Sequence, residues 1–201
     1  MVMAHANSRT SDYPIDPMFL ERWSPRAFTG ETIAECDLLT MLEAARWAAS
    51  SYNAQPWRFI YSRNDGPSWP KFVDLLVPTN QAWAKNASAL VILVSRKTMI
   101  PPGKDAAVDS YTHSLDAGAA SAYFALQASR MGWFVHGMQG LDMQRAASEL
   151  HVPDDFRVEA AYAVGKRGDA AALPEALRAR EQPNDRLPLS ALAFESVFKT
   201  G

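Results

Sequence analysis

Ala89-Leu90-Val91-Ile92-Leu93-Val94 is the longest strongly apolar run in the chain, and its reading decides the fold class. Six residues fall far short of the roughly 20 needed to span a bilayer. No polar residue alternates with the apolar ones, so a strand built from this run is buried on both faces. Such a strand needs cover on each side. Upstream, 80–87 and 68–76 read as short helices and Trp57 to Ser62 as a strand. Further back, Leu38, Leu39, Met41, Leu42, Ala45 and Ala48 give a broad apolar helical face. Thr32-Ile33-Ala34-Glu35 ahead of that face fits a capping box, so a helix is expected over about 34–49.

Downstream, a Pro/Gly loop at 101–103 precedes an Ala-rich stretch without proline over 109–131, the expected central helix. Its small residues Ala117, Gly118, Ala120, Ser121 and Ala125 permit close approach of another helix. Gly132 supplies a left-handed cap at its end. A strand over 133–138, a helix over 142–150 and a strand over 158–164 follow. Interleaved strands and helices around a buried sheet define an α+β or α/β class with three layers.

The chain has 201 residues, of which 48% are hydrophobic and 21% charged, with a formal net charge of -2. One domain of this size buries roughly 70% of its unfolded surface, and no linker divides it. The expected organisation is a flexible N-terminal arm over 1–16, with Pro14 marking irregular backbone, and a single domain over 17–201. The charge balance gives no general attraction to nucleic acid or membrane, although a local basic site stays open. The single cysteine, Cys36, excludes an intrachain disulfide and reads as a buried packing residue. Residues 1–12 lack the apolar stretch of a secretory signal, which points to a cytoplasmic protein.

The usual catalytic sets are missing. His5, His113, His136 and His151 lack the close pairing of zinc motifs, and no nucleophile elbow, Walker loop or dinucleotide fingerprint occurs. Ser110, His113 and Asp116 read as a surface stripe on the central helix. Two polar clusters remain. Arg22-Trp23-Ser24-Pro25-Arg26 places two planar guanidinium forks around a hydroxyl, which suits an anion and equally suits a solvated basic turn. Ser50-Ser51-Tyr52-Asn53-Ala54-Gln55-Pro56-Trp57 is a dense run of donors and acceptors between helix and strand, also compatible with an ordinary turn.

Taken together, Arg22-x-Ser24-x-Arg26, the helix reading LLTMLEAARWAASS and Asn53-x-Gln55-Pro56-Trp57-Arg58-Phe59 resemble the nitroreductase family. Asn80 with Trp83, Gly137-Met138-Gln139-Gly140, and Pro183-Asn184-Asp185-Arg186-Leu187-Pro188 follow in the same order. The resemblance implies a central, mostly antiparallel sheet flanked by helices, built to bind flavin mononucleotide (FMN). It also implies a homodimer with active sites at the subunit interface and the apolar C-terminal segment wrapped around the partner. Arg22, Ser24 and Arg186 would grip the FMN phosphate, with Trp23 alongside. Arg26 would face the ribityl chain or the N1/O2 edge of the ring. Asn80 would bond the pyrimidine edge, while Gly137, Met138, Gln139 and Gly140 would lay their backbone along the flavin. Ser50 and Ser51 would reach the flavin of the opposite subunit, and Asn53 and Gln55 in the same run would belong to the cofactor-binding set.

The implied activity is hydride transfer from NADH or NADPH through FMN to a small-molecule electron acceptor such as a nitroaromatic or quinone. In that chemistry no residue of the chain is itself the reacting group. An FMN-binding protein serving in redox sensing or flavin storage is the alternative, and an interaction protein that has lost flavin is a third. Trp23, Tyr52, Trp69, Trp83 and Phe124 are candidates for an aromatic lid. One departure bears on the phosphate. Many relatives carry a basic residue where this chain has Asn184, and Lys166 and Arg167 are either its replacement or a surface turn.

Overall fold

In the computed structural model, residues 7–199 are described. The chain enters through a single helical turn, α1 (Met18–Glu21), and then α2 (Glu35–Arg46). It continues through β1 (Trp57–Arg63), α3 (Trp69–Asp74), α4 (Pro78–Ala84) and β2 (Ala89–Arg96). A small ribbon, β3 (Thr98–Met99) with β4 (Val108–Asp109), precedes the 18-residue α5 (His113–Arg130). β5 (Phe134–Met138), α6 (Met143–Glu149), β6 (Phe156–Gly165) and a last helical turn, α7 (Glu175–Arg178), complete the order.

β2 lies where its sequence puts it, inside. The sheet order is β1-β2-β6-β5, and every pairing is antiparallel. Along β2, Ala89, Val91 and Leu93 face one core while Leu90, Ile92 and Val94 face the other. Side chains alternate across a strand, so a run that is apolar at every position requires two apolar layers. The first layer is α2 and α5, whose Leu38, Met41, Ala45, Ala117, Ala120 and Phe124 are fully enclosed. The second holds Phe72 of α3, Trp83 of α4 and Ala146 of α6. Three layers with an antiparallel sheet between them agree with the expected architecture.

Several local expectations need correction. The capping box does not form: α2 starts at Glu35 after Ala34, with no side-chain cap. Glu35 instead accepts a 2.7 Å hydrogen bond from the Tyr61 hydroxyl, a partner brought in by β1. Cys36 is exposed, because the buried face of α2 runs through Leu38, Met41 and Ala45, on another side of the helix. The central helix begins at His113, since 108–109 pair with β3. α5 packs through Ala117, Ala120, Phe124 and Ala128, whereas Gly118 is exposed and has open space beside it.

Ser110 and Asp116 are not a surface stripe either. Both are buried, and Asp116 accepts from the Thr112 hydroxyl at 3.0 Å and from the Ser51 backbone N–H at 3.2 Å. Gly132 does end α5 at φ 70°, as expected of a residue without Cβ. Trp83 and Phe124 are core residues, and Trp69 packs against the second core, so none of the three forms a lid. Among the described residues, no helix is long and apolar enough to cross a membrane.

After β6 the chain runs mostly without regular structure. Leu187, Leu192, Val197 and Phe198 in this segment are exposed. Residues 7–16 lie against it: the Leu189 N–H donates to Asp12 at 2.9 Å, and a cleft of about 500 Å³ between the two is lined by Tyr13, Ile15, Phe19, Leu187 and Leu192.

Candidate functional site

The segment after α1 is fixed by the side chains of Glu181 and His136. Glu181 turns its carboxylate onto the backbone, accepting from the Arg26 N–H at 2.8 and 3.0 Å and from the Ala27 N–H at 2.9 Å. The β5 residue His136 lies 2.9 Å through Nδ1 from the Pro25 carbonyl. Because a carbonyl only accepts, Nδ1 carries the proton and donates. The Trp83 ring backs the imidazole, with centroids 4.6 Å apart. Burial, first of all, pushes His136 down to about 4, with Arg26 and Arg22 adding to the effect against the Pro25 bond. At neutral pH it is an uncharged strut.

With Glu181 occupied by backbone, the segment faces outward as a cation. A cleft of about 170 Å³ is lined by Arg9, Arg22, Trp23, Ser24, Arg26, His136, Arg180, Gln182, Asn184 and Arg186. Five of these are arginines, and among the described residues no carboxylate lines the cleft. Burial lowers the pKa of Arg22, and the nearby charges of Arg9 and Arg186 lower it further. Burial also lowers Arg26, with Arg180 acting in the same direction and Glu181 against it. Arginine keeps its proton regardless. The lowering reflects burial first and neighbouring like charge second. Trp23 is 7% exposed, with the Arg167 guanidinium 5.7 Å from its ring centroid, so it forms a wall and not a lid.

One residue beyond His136 begins the second cluster. Gly137 is exposed, Met138 is buried in the core, and Gln139 is exposed. Only the backbone of Met138 is therefore available to a ligand. Gln139 Nε2 donates to the Glu159 carbonyl at 3.1 Å. Asn80 Nδ2 donates to the Gly140 carbonyl at 3.0 Å, and a Cβ on Gly140 would lie 2.5 Å from that nitrogen and 2.8 Å from Val77 Cγ2. Gly140 thus permits a close approach that any side chain would prevent. The amide oxygen of Asn80 has no protein partner among the described residues and stays available to a ligand.

The 50–55 loop stands apart from the arginine cleft. Ser50 Oγ accepts from the Gln55 N–H at 3.0 Å, the Ser51 N–H is held by Asp116, and Gln55 Nε2 reaches the Asn53 carbonyl at 3.1 Å. Tyr52, Asn53 and Gln55 all have left-handed backbone, with φ of 50°, 56° and 48°. That conformation is costly for residues with a Cβ and marks a loop shaped by more than connection. Asn53 and Gln55 are exposed.

Arg9, His136, Arg180 and Gln182 are cleft residues that sequence reasoning missed. Lys166 does not replace a base at Asn184: its Nζ donates to the Gly132 carbonyl at 2.9 Å and sits 4.2 Å from the Trp133 ring centroid.

A cationic cleft thus opens beside the Gly137 end of β5, within an antiparallel α+β sandwich. The family model "Nitroreductase family" matches residues 20–66. A solved oxidoreductase containing FMN is 47% identical, with a TM-score of 0.93 over 99% of this chain and 100% of that one. A protein from Desulfovibrio desulfuricans solved in complex with FMN is 23% identical, with a TM-score of 0.68 over 92% of this chain and 100% of that one. A 15.4 kDa protein from the ask 5′ region of Mycolicibacterium smegmatis is 33% identical over 145 residues, 68% of this chain and 94% of that one. The chain belongs to the nitroreductase family.

Proposed function

We propose that the chain is an FMN-dependent oxidoreductase that takes hydride from NADH or NADPH and reduces a small electrophilic acceptor, such as a nitroaromatic or a quinone. The observation that supports the reading is the arginine cleft of about 170 Å³, with no carboxylate among its described lining, next to the exposed Gly137 of β5. The donor set fits FMN: forked cations and a hydroxyl for the phosphate, amide and backbone groups for the ring. When bound, FMN supplies two-electron chemistry, accepting hydride from the nicotinamide and passing it to the second substrate.

The protein's part is placement and electrostatics. Arg22 and Arg186 hold the phosphate, with Ser24 adding a neutral donor. Arg26 offers a cation to the ring edge that gathers negative charge on reduction, which favours the reduced form. Asn80 presents its amide oxygen to the pyrimidine edge while its nitrogen fixes Gly140. His136 and Glu181 keep the 22–27 segment in place and stay uninvolved in the chemistry. Ser50, Ser51, Asn53 and Gln55 complete the site of a second copy, consistent with their standing outside this chain's own cleft. The homodimer this requires accounts for the apolar side chains exposed on the tail.

Steady-state oxidation of NADH and of NADPH by the FMN-loaded protein, with a quinone or nitroaromatic as acceptor, tests the reading. Turnover that saturates in both substrates is expected. Flavin binding without turnover for either nucleotide would refute the enzymatic assignment.

A further inference from the structure

We propose that Arg9, delivered by the N-terminal segment, is a direct ligand of the anion in the arginine cleft, supplying the cation that the tail lacks at Asn184. The inference rests on the reading of that cleft as the site of the FMN phosphate.

Arg9 is held from both walls. Its Nε donates to the Asn184 carbonyl at 2.8 Å, and its Nη1 donates to the Leu20 and Arg22 carbonyls at 3.1 and 2.8 Å. A guanidinium has five N–H groups in one rigid plane. Three are committed to these carbonyls, so the direction of the remaining two, on Nη2, is fixed. Among the described residues, Nη2 has no hydrogen-bond partner, and Arg9 lines the cleft.

The electrostatics are compatible with this. Arg9 is drawn up to Arg22 and Arg186, and both its own pKa and that of Arg22 are lowered by burial first and by neighbouring arginines next, with Asp185 acting against the lowering at Arg9. Packing a third cation there is favourable when an anion completes the group. The clasp also spans residues far apart in sequence. Arg9 joins the arm to 20–22 and to 184, so one side chain closes the cleft and charges it. Arg180 borders Arg26, at a different part of the lining.

The test compares FMN with riboflavin, which has the same ring and no phosphate, by fluorescence titration of the apoprotein. Arg9→Ala should weaken FMN about tenfold, the scale of one charge-assisted hydrogen bond, and leave riboflavin affinity unchanged. Arg9→Gln, which keeps two N–H donors and removes the charge, should show the same loss. Arg9→Lys should recover part of it, since charge returns without the fork. Unchanged FMN affinity in Arg9→Ala and Arg9→Gln would overturn the proposal while leaving the cleft assignment standing. Equal losses for FMN and riboflavin would also overturn it, making Arg9 a structural clasp. Wild-type protein that binds riboflavin as tightly as FMN would instead remove the phosphate from the cleft, and both readings with it.

Discussion

Protonating His136 should cost stability, and the size of the effect follows from its surroundings. The imidazole is largely buried against Trp83, donates through Nδ1 to the Pro25 carbonyl, and has Arg22 and Arg26 nearby. Its folded-state value is lowered from 6.5 to about 4, chiefly by burial. Between those two values the unfolded chain binds the proton and the folded chain does not. Stability from this group is therefore complete above about 6.5 and declines as pH falls, with the loss complete below about 4. At about 1.4 kcal/mol per pH unit, the gap corresponds to about 3 kcal/mol. Urea unfolding of apoprotein at intervals from pH 7 to pH 4 would measure it, with His136→Asn as reference. Asparagine keeps a donor toward Pro25 and cannot titrate, so carboxylates common to both proteins cancel in the difference. The wild type should lose more than the variant over that range. Parallel pH profiles would refute the picture of a buried neutral strut. Bound FMN should reduce the difference, because a phosphate beside Arg22 offsets a new imidazolium.

Gly140→Ala should disturb the ring side of the site, because its Cβ would fall 2.5 Å from Asn80 Nδ2. Weaker binding of both FMN and riboflavin, by fluorescence titration, is the expected result. Glu181→Ala removes the acceptor for the Arg26 and Ala27 N–H groups and should lower stability by ~2 kcal/mol, read from urea denaturation. Leu38→Ala empties a fully enclosed position between α2 and the sheet and should cost about 2–5 kcal/mol in the same assay. Dilution monitored by light scattering should release FMN together with monomer, and a single-chain mass with flavin still bound would contradict the shared site.

The architecture was legible where a single physical requirement dominates. β2 has no polar position to turn toward water, which alone demands a layer on each side. Gly132 and the Ala117 and Ala120 contacts of α5 follow equally from local chemistry, whereas Phe124, read as a lid candidate, is core. Two of the misses share a cause, competition from partners far along the chain. Thr32 and Glu35 are spaced for a capping box, yet Tyr61 takes Glu35. Asp116 reads as a surface acid until the Ser51 N–H arrives from another loop.

At the site, the Arg22-x-Ser24-x-Arg26 pattern announced the cleft, and Arg186 joined it. Arg9 could not be seen in advance, because it sits in a polar stretch with no periodicity and acts only through contacts with 20–22 and 184. Met138 illustrates the converse. The motif places it at the site, but strand alternation turns its side chain into the core.

The central claim is tested most directly by the visible absorption spectrum of the purified protein, recorded before and after adding FMN and then under anaerobic NADH or NADPH. Flavin bands that bleach with a reduced nicotinamide are the predicted result. No uptake of FMN, or bound flavin whose bands persist with both nucleotides, would contradict it.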